Sequence, residues 1–240
     1  VIVMRVIRFR VEGIFNSFRI PFFRTYQKSF LAPPKTTIIG MLTNIMGKSE
    51  QFYYTLLEED MIKVSVVINS IKGKAKDLWS YKSFESKSDM HGRSIIRRDK
   101  LYNAKYTIYL MIENEELSKE IYDSLICPKS IPALGLDDEI IKIFDVDDSL
   151  TIDINKFHII NSVFMDKGYN YEVKISDSDN YIELPTSNIT PLKYKIIIDK
   201  DFRLARKNMD EYKQVEYLNC CIELKDVESY KCENNNVVFY

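Results

Sequence analysis

Residues 29–47, SFLAPPKTTIIGMLTNIMG, constrain the fold more tightly than any other stretch of this chain. Pro33 and Pro34 lack the N–H that a strand ladder or helix interior needs, so the extended segment before them must stop there. Thr36 or Thr37 is then expected to cap a helix over 36–46 by accepting an orphan backbone N–H. Ile38, Ile39, Leu42, Ile45 and Met46 recur at helical spacing, which predicts one buried face. Gly40 leaves room for a close backbone or ligand approach, and Gly47 is placed to end the helix in the left-handed conformation. The helix N-terminus, with Lys35 beside it, is then available to an anion such as a phosphate. An equally direct reading is a plain turn and cap. A phosphate-cradling Gly-x-x-x-x-Gly-Lys-Thr loop is absent, because the glycines before Lys35 are missing.

The second constraint is charge. The formal net charge is −1, but residues 1–106 hold 19 Lys and Arg against 9 Asp and Glu, a net of +10. Residues 107–240 hold 15 against 26, a net of −11. A basic half favours a polyanion, and an acidic half favours solvent or a basic neighbour. Nucleic-acid binding by the first half is the expectation, and two ordinary solvated surfaces are the alternative.

Residues 2–11 alternate apolar side chains with Arg5, Arg8 and Arg10, a strand with a basic outer face. Residues 12–31 are aromatic and basic, with Phe18, Arg19, Arg24 and Tyr26, and read as a loop with extended pieces. A short helix over 50–57 and a β-branched strand over 62–71 follow. Residues 73–100 then lose all hydrophobic periodicity. Lys74, Lys76, Lys82, Arg93, Arg97, Arg98 and Lys100 interleave with Trp79, Tyr81, Phe84 and Met90. Such a segment between two strands predicts a protruding hairpin or lobe whose cations meet phosphates and whose rings stack on bases. The alternative is a solvated loop with its rings folded back. Further strands over 105–112 and 140–146 flank an amphipathic helix over 115–125. The order strand, helix, strand, strand, helix, strand is the ferredoxin-like pattern of RNA-recognition folds.

The fold class expected is therefore α+β. Residues 1–140 form a ferredoxin-like (RRM-like) domain with a basic thumb near 73–100, and residues 141–240 form a small β-rich C-terminal domain. In the second part, short strands alternate with turn clusters such as 177–180 and 233–236. A chain 45% hydrophobic can bury a real core. No apolar run reaches membrane-spanning length and the start shows no secretory pattern, so a cytoplasmic location is expected. Cys127, Cys220, Cys221 and Cys232 have no zinc spacing and are expected to be reduced and buried.

Three segments resemble the Cas five family of CRISPR-associated proteins, in the order and spacing of that family. They are Phe18-Arg19 with Ala32 to Leu42, then Ile96 to Leu110 (IRRDKLYNAKYTIYL), then Leu125 to Asp138 (LICPKSIPALGLDD). Together they span residues 1 to about 140. The chain departs from the family in carrying Phe30-Leu31-Ala32 before its prolines and Gly135-Leu136-Asp137 after its late turn.

The resemblance implies a type I-B-like guide-RNA subunit of the RAMP superfamily. Such a subunit grips the 5′ handle of the crRNA in a type I surveillance complex (Cascade). It also caps a backbone filament of the Cas seven family, docks a large subunit of the Cas eight type and reaches target DNA through the complex. The expected RNA-binding residues are Arg19, Arg24, Lys35, Thr36, Thr37, Tyr81, Lys82, Phe84, Arg93, Arg97, Arg98 and Lys100.

No catalytic residue, metal or cofactor is expected. Some family members cut precursor crRNA without metal, and here His91, Lys100, Tyr102 and Lys105 are the only candidates in the basic half. His91 reads as a loop histidine and His158 as a strand residue. Asp145, Asp147 and Asp148 lack an EF-hand frame. The alternatives are a metal-independent endoribonuclease and the related end-cap of a type III effector.

Overall fold

The computed structural model describes residues 5–20, 26–82, 93–150, 152–155, 159–166, 169–173, 186–191, 194–198, 204–208, 212–217, 222–224 and 228–240. Its first part runs β1 (Arg5–Asn16), β2 (Tyr26–Gln27), α1 (Lys35–Ile45), α2 (Glu50–Glu58), β3 (Ile62–Lys82), β4 (Arg93–Ile112), α3 (Glu115–Ile126) and β5 (Ile141–Asp147). The strands pair antiparallel in the order β3-β4-β1-β5. β4 thus separates β3 from β1, and β1 separates β4 from β5, with helices making both crossovers. That is the ferredoxin-like split βαβ arrangement read from the sequence.

Helix α1 buries Ile38, Ile39, Leu42 and Ile45 completely against Ile7, Phe9 and Val11 of β1 and Ile108 and Leu110 of β4. Gly47 closes it at φ +64. The Gly47 N–H donates to Asn44 O at 2.9 Å and the Lys48 N–H to Thr43 O at 3.0 Å, the two bonds of a Schellman cap. The start differs from expectation. Pro34 takes the N-cap position with no side-chain bond, so Thr36 and Thr37 lie inside the first turn rather than capping it. The orphan Lys35 N–H donates instead to the Tyr240 hydroxyl at 3.0 Å. Helix α3 is capped as propensity dictates, with Asn114 accepting from the Leu117 N–H at 2.9 Å.

The described part of the expected hairpin is built by the two strands themselves rather than by an insertion between them. β3 and β4 themselves run on, paired from Ile62↔Ile112 out to Lys82↔Arg93. Beyond the core both faces of this hairpin meet solvent, so no apolar alternation remains to mark it as strand. β2 adds a short parallel rung beside β4 at Arg97 and Arg98.

The second part holds β6 (Ile152–Asn155), β7 (Ile159–Ile160), β8 (Phe164–Asp166), β9 (Tyr171–Val173), β10 (Thr186–Pro191), β11 (Tyr194–Ile198), β12 (Leu204–Asn208), β13 (Tyr212–Tyr217), β14 (Ile222–Leu224), β15 (Ser229–Cys232) and β16 (Asn235–Val237). They pair in small sheets, β10-β13-β8, β11-β12, β7-β14-β9 and β16-β15-β6. The main sheet extends through β5 to residue 147, past the expected boundary at 140. The chain then returns to it. Cys232 and Val237 pack with Val6, Val67, Tyr109 and Met111 on the sheet face opposite the helices. Tyr240 pairs its backbone with Val64 through bonds of 3.1 and 3.2 Å. The face that an RNA-recognition domain would leave open is therefore covered here. Of the cysteines expected to be buried, Cys232 is, whereas Cys127 is exposed. Cys220 and Cys221 lie outside the described residues.

Candidate nucleic-acid interface

The start of α1 and the glycine loop before β5 are about a hundred residues apart in sequence and face each other across one cleft. Thr36, Thr37, Gly40, Met41, Asn44, Lys48, Glu50 and Tyr53 form one wall of a cleft of about 650 Å³. Ala133, Gly135, Leu136 and Asp137 form the other. Gly135 stands at φ +116, and a Cβ there would fall 2.1 Å from Glu139 Oε2 and 2.6 Å from Ser17 O. Only glycine fits that turn.

Glu139 organises this loop. It is 2% exposed and accepts from the Ser17 N–H at 2.6 Å, the Ser17 hydroxyl at 2.7 Å and the Leu136 N–H at 3.1 Å. Lys100 Nζ lies 3.5 Å from Oε1, the oxygen that accepts from the Ser17 hydroxyl. One carboxylate therefore ties the end of β1, the cleft loop and the base of the hairpin together. In the sequence it ends an ordinary Asp-Asp-Glu run, and nothing local marks it.

Lys35 is placed differently from the expectation that it faces a phosphate. Its ammonium is buried, 2.5 Å from Asp60 and 3.4 Å from Tyr240 O. The apolar stem is covered by the core, and Asp60 supplies the counter-charge that burial demands. Lys100 is turned toward Glu139 and Asp77. Thr36 and Thr37 do line the cleft.

On the hairpin, Asp77, Trp79 and Tyr81 of β3 lie opposite Arg98, Ile96 and Ser94 of β4 and share one face. Arg98 is 7% exposed, 2.6 Å from Asp77 and stacked 4.7 Å from the Trp79 ring centroid. The Tyr81 ring follows at 6.1 Å. At the hairpin base the exposed pair Phe15 and Tyr102 meets at 5.4 Å. Trp79 and Tyr81 remain partly open, so the face offers rings on which unpaired bases can stack, with an oriented guanidinium among them.

Arg97 lies on the opposite hairpin face with Lys76, both exposed, beside exposed Leu78 and Ile95. Arg19 is exposed at a bridge to Ser29. Lys82 and Arg93 form the last described rung, their side chains outside the described residues, as are Arg24, Phe84, His91 and His158 altogether. Of the residues considered for RNA cleavage, Lys105 is paired with Glu12 at 3.0 Å.

The strand β1 does not present a basic outer face. Arg8 is buried and held by Glu233, by Asp145 at 2.9 Å and by Asp147 at 3.8 Å, and Arg10 pairs with Asp145 at 3.0 Å. Burial works against the Arg8 charge, but bonding to Glu233 and the fields of Glu233, Asp145 and Asp147 outweigh it and raise its pKa. Asp147 is held below the usual carboxylate range mainly by the hydroxyl and N–H of Ser149. Arg5 with Glu115, Lys48 with Glu120 and Lys100 with Glu139 repeat the pattern. Six carboxylates of the acidic half thus pair with cations of the basic half.

Among the described residues no group of three or more His, Cys, Asp or Glu is placed to hold a metal ion. No helix of the described residues is long and apolar enough to cross a membrane.

A ferredoxin-like sheet carrying a long basic hairpin beside a glycine-walled cleft defines an α+β protein of the kind found among CRISPR proteins. The family model described as CRISPR-associated protein (Cas_Cas5) matches residues 6–170, more than half of the chain, and the chain belongs to that family. It is similar over 98% of its length to a CRISPR protein from Archaeoglobus fulgidus, at 12% identity and a TM-score of 0.55, covering 98% of that chain. That likeness supports the fold. Weaker matches include a chain of a CRISPR RNA-guided surveillance complex, at TM-score 0.46 and 12% identity over 97% of this chain and 90% of that one. Another is a chain of the Type III-B Cmr-beta bound to cognate target RNA, at TM-score 0.41 and 12% identity over 60% of each. No curated protein matches the sequence.

Proposed function

We propose that this chain is a non-catalytic subunit of a type I CRISPR surveillance complex that grips the 5′ handle of the crRNA. In that role it caps the backbone filament of the Cas seven family, docks a large subunit of the Cas eight type and works in the cytoplasm. Base pairing by the guide, not this protein, reads the target DNA. The observation that carries the reading is the convergence of the three family segments. The start of α1 and the Gly135 loop wall one cleft, and Glu139 joins that loop to Lys100 at the base of the hairpin. The hairpin continues outward with stacked Arg98, Trp79 and Tyr81 and exposed Arg97 and Lys76. The chemistry supplied is positioning: cations neutralise phosphates while rings hold unstacked bases.

The test is purified protein with repeat RNA in EDTA. Salt-sensitive binding without cleavage is expected. Cleavage lost on replacing Tyr102 or His91 would instead favour the endoribonuclease. Co-purification with a type III large subunit would move the protein to that class of effector.

A further inference from the structure

One acid sits in the middle of the hairpin face that carries the rings. The rungs there are Ala75↔Lys100, Asp77↔Arg98, Trp79↔Ile96 and Tyr81↔Ser94, and Asp77 is their single carboxylate. A carboxylate on a surface that meets a polyanion weakens the contact by repulsion. Its position shows how it acts on the cations. Asp77 Oδ2 lies 2.6 Å from Arg98 Nη2 and 4.0 Å from Lys100 Nζ. One oxygen thus stands before two cations, as a non-bridging oxygen of a phosphate would.

The fit to Arg98 is incomplete. Nε and Nη2 share one edge of the guanidinium, a fork that takes two oxygens side by side. Asp77 bonds Nη2, whereas Nε is buried with no hydrogen-bond partner among the described residues. A buried donor left unmade is costly, so a ligand that satisfies it is favoured. The Trp79 ring, 4.7 Å from the guanidinium, fixes the plane of Arg98 and leaves its edge to an anion. Arg98 is buried, while the Asp77 side chain is 37% exposed and has solvent to turn into.

We propose that Asp77 is a built-in phosphate mimic: it occupies the Arg98 edge in the free chain and yields it to a phosphodiester whose two non-bridging oxygens bond Nη2 and Nε together. The inference rests on the RNA-gripping reading above and adds the residue that sets the strength of the grip. Same-face neighbours on a strand stand about 6.6 Å apart, so a base stacked on Trp79 brings its backbone over Asp77. Displacing Asp77 opposes capture of any anion, and stacking on the rings offsets that opposition. A polyanion without bases has no such offset and stays weakly held.

The test is fluorescence anisotropy of the full chain with repeat RNA across a salt series. Asp77→Asn keeps the shape and removes the charge. It is expected to bind about fivefold more tightly, the upper range for an ion pair with one solvent-exposed partner. Its logarithmic salt slope should steepen by about 0.7, because one more positive charge then faces the strand uncompensated. In an Arg98→Gln background the same substitution should gain nothing. A second measurement needs only the native chain: the assigned Arg98 Nε–H resonance should move downfield when repeat RNA is added, as the donor gains its acceptor. Unchanged or weaker binding by Asp77→Asn overturns the mimic, leaves the RNA-gripping reading intact and makes the pair a cross-strand brace. A gain that survives in the Arg98→Gln background also overturns it, as general relief of repulsion. So does an Nε–H resonance that RNA does not move. A native chain that binds no repeat RNA overturns both readings.

Discussion

On the reverse face of the sheet Arg8 is 6% exposed and surrounded by Asp145, Asp147 and Glu233, the last supplied by the turn between β15 and β16. On the hairpin Arg97 and Lys76 stand in solvent, with no carboxylate at ion-pair distance among the described residues. Both sets belong to the half with net charge +10, yet they do different work. The first set fastens the C-terminal strands to the sheet. The second is left available to a polyanion. The opposite charges of the two halves are therefore not simply a positive domain beside a negative one. Part of the split is neutralised within the molecule, around Arg8, Arg10 and Lys100, while Arg97 and Lys76 stay exposed on the hairpin.

Variants on the two faces should separate stability from binding. Arg8→Met is expected to have the largest effect, about 3–5 kcal/mol of stability, because three carboxylates lose a buried partner. Urea unfolding measures it, and RNA affinity of the remaining folded protein should be unchanged. A loss under about 1 kcal/mol would show that the cluster relaxes into water and fastens nothing.

Gly135→Ala should cost about 1–3 kcal/mol through its left-handed backbone and its clash with Glu139 and Ser17 O. Unlike Arg8→Met it should also weaken RNA binding, since the strained turn builds the cleft wall. Trp79→Ala should leave the melting temperature nearly unaltered and weaken RNA binding by about 1–3 kcal/mol, the worth of one stacked base. Unchanged affinity would remove the ring platform from the interface.

The smallest effect concerns pH. The Ser149 bonds lower the Asp147 pKa in the folded state below its unfolded value. Stability from this group is therefore complete above the unfolded pKa of about 3.9 and is lost as pH falls through the folded value. Ser149→Ala should shallow the acid limb of a urea-midpoint titration below about pH 4 and leave the neutral region almost flat. An unchanged acid limb would mean that Asp147 gains nothing from Ser149.

Local chemistry made much of the frame legible. The apolar spacing of Ile38, Ile39, Leu42 and Ile45 identified the buried face of α1, and Gly47 its end. The β-branched run near Val64 and Val66 identified the start of β3, and the order of elements identified the ferredoxin-like topology. What stayed hidden depends on partners distant in sequence. Lys35 looks like a free cation until Tyr240 arrives from the far end of the chain. Arg8 looks like a surface residue until Asp145 and Glu233 close on it. Glu139 is indistinguishable from its acidic neighbours until Ser17 and Leu136 bond to it. The length of β3 and β4 was hidden for another reason: a ladder wet on both faces carries no hydrophobic period.

The central claim is that the hairpin side, and not the covered reverse face, meets RNA. Its most direct measurement is an anisotropy titration of repeat RNA across a salt series, comparing the native chain with Lys76→Glu, Arg97→Glu. The account predicts weaker binding and a logarithmic salt slope flatter by about 1.4, the loss of two phosphate contacts on a single strand. Unchanged affinity with an unchanged slope would contradict it.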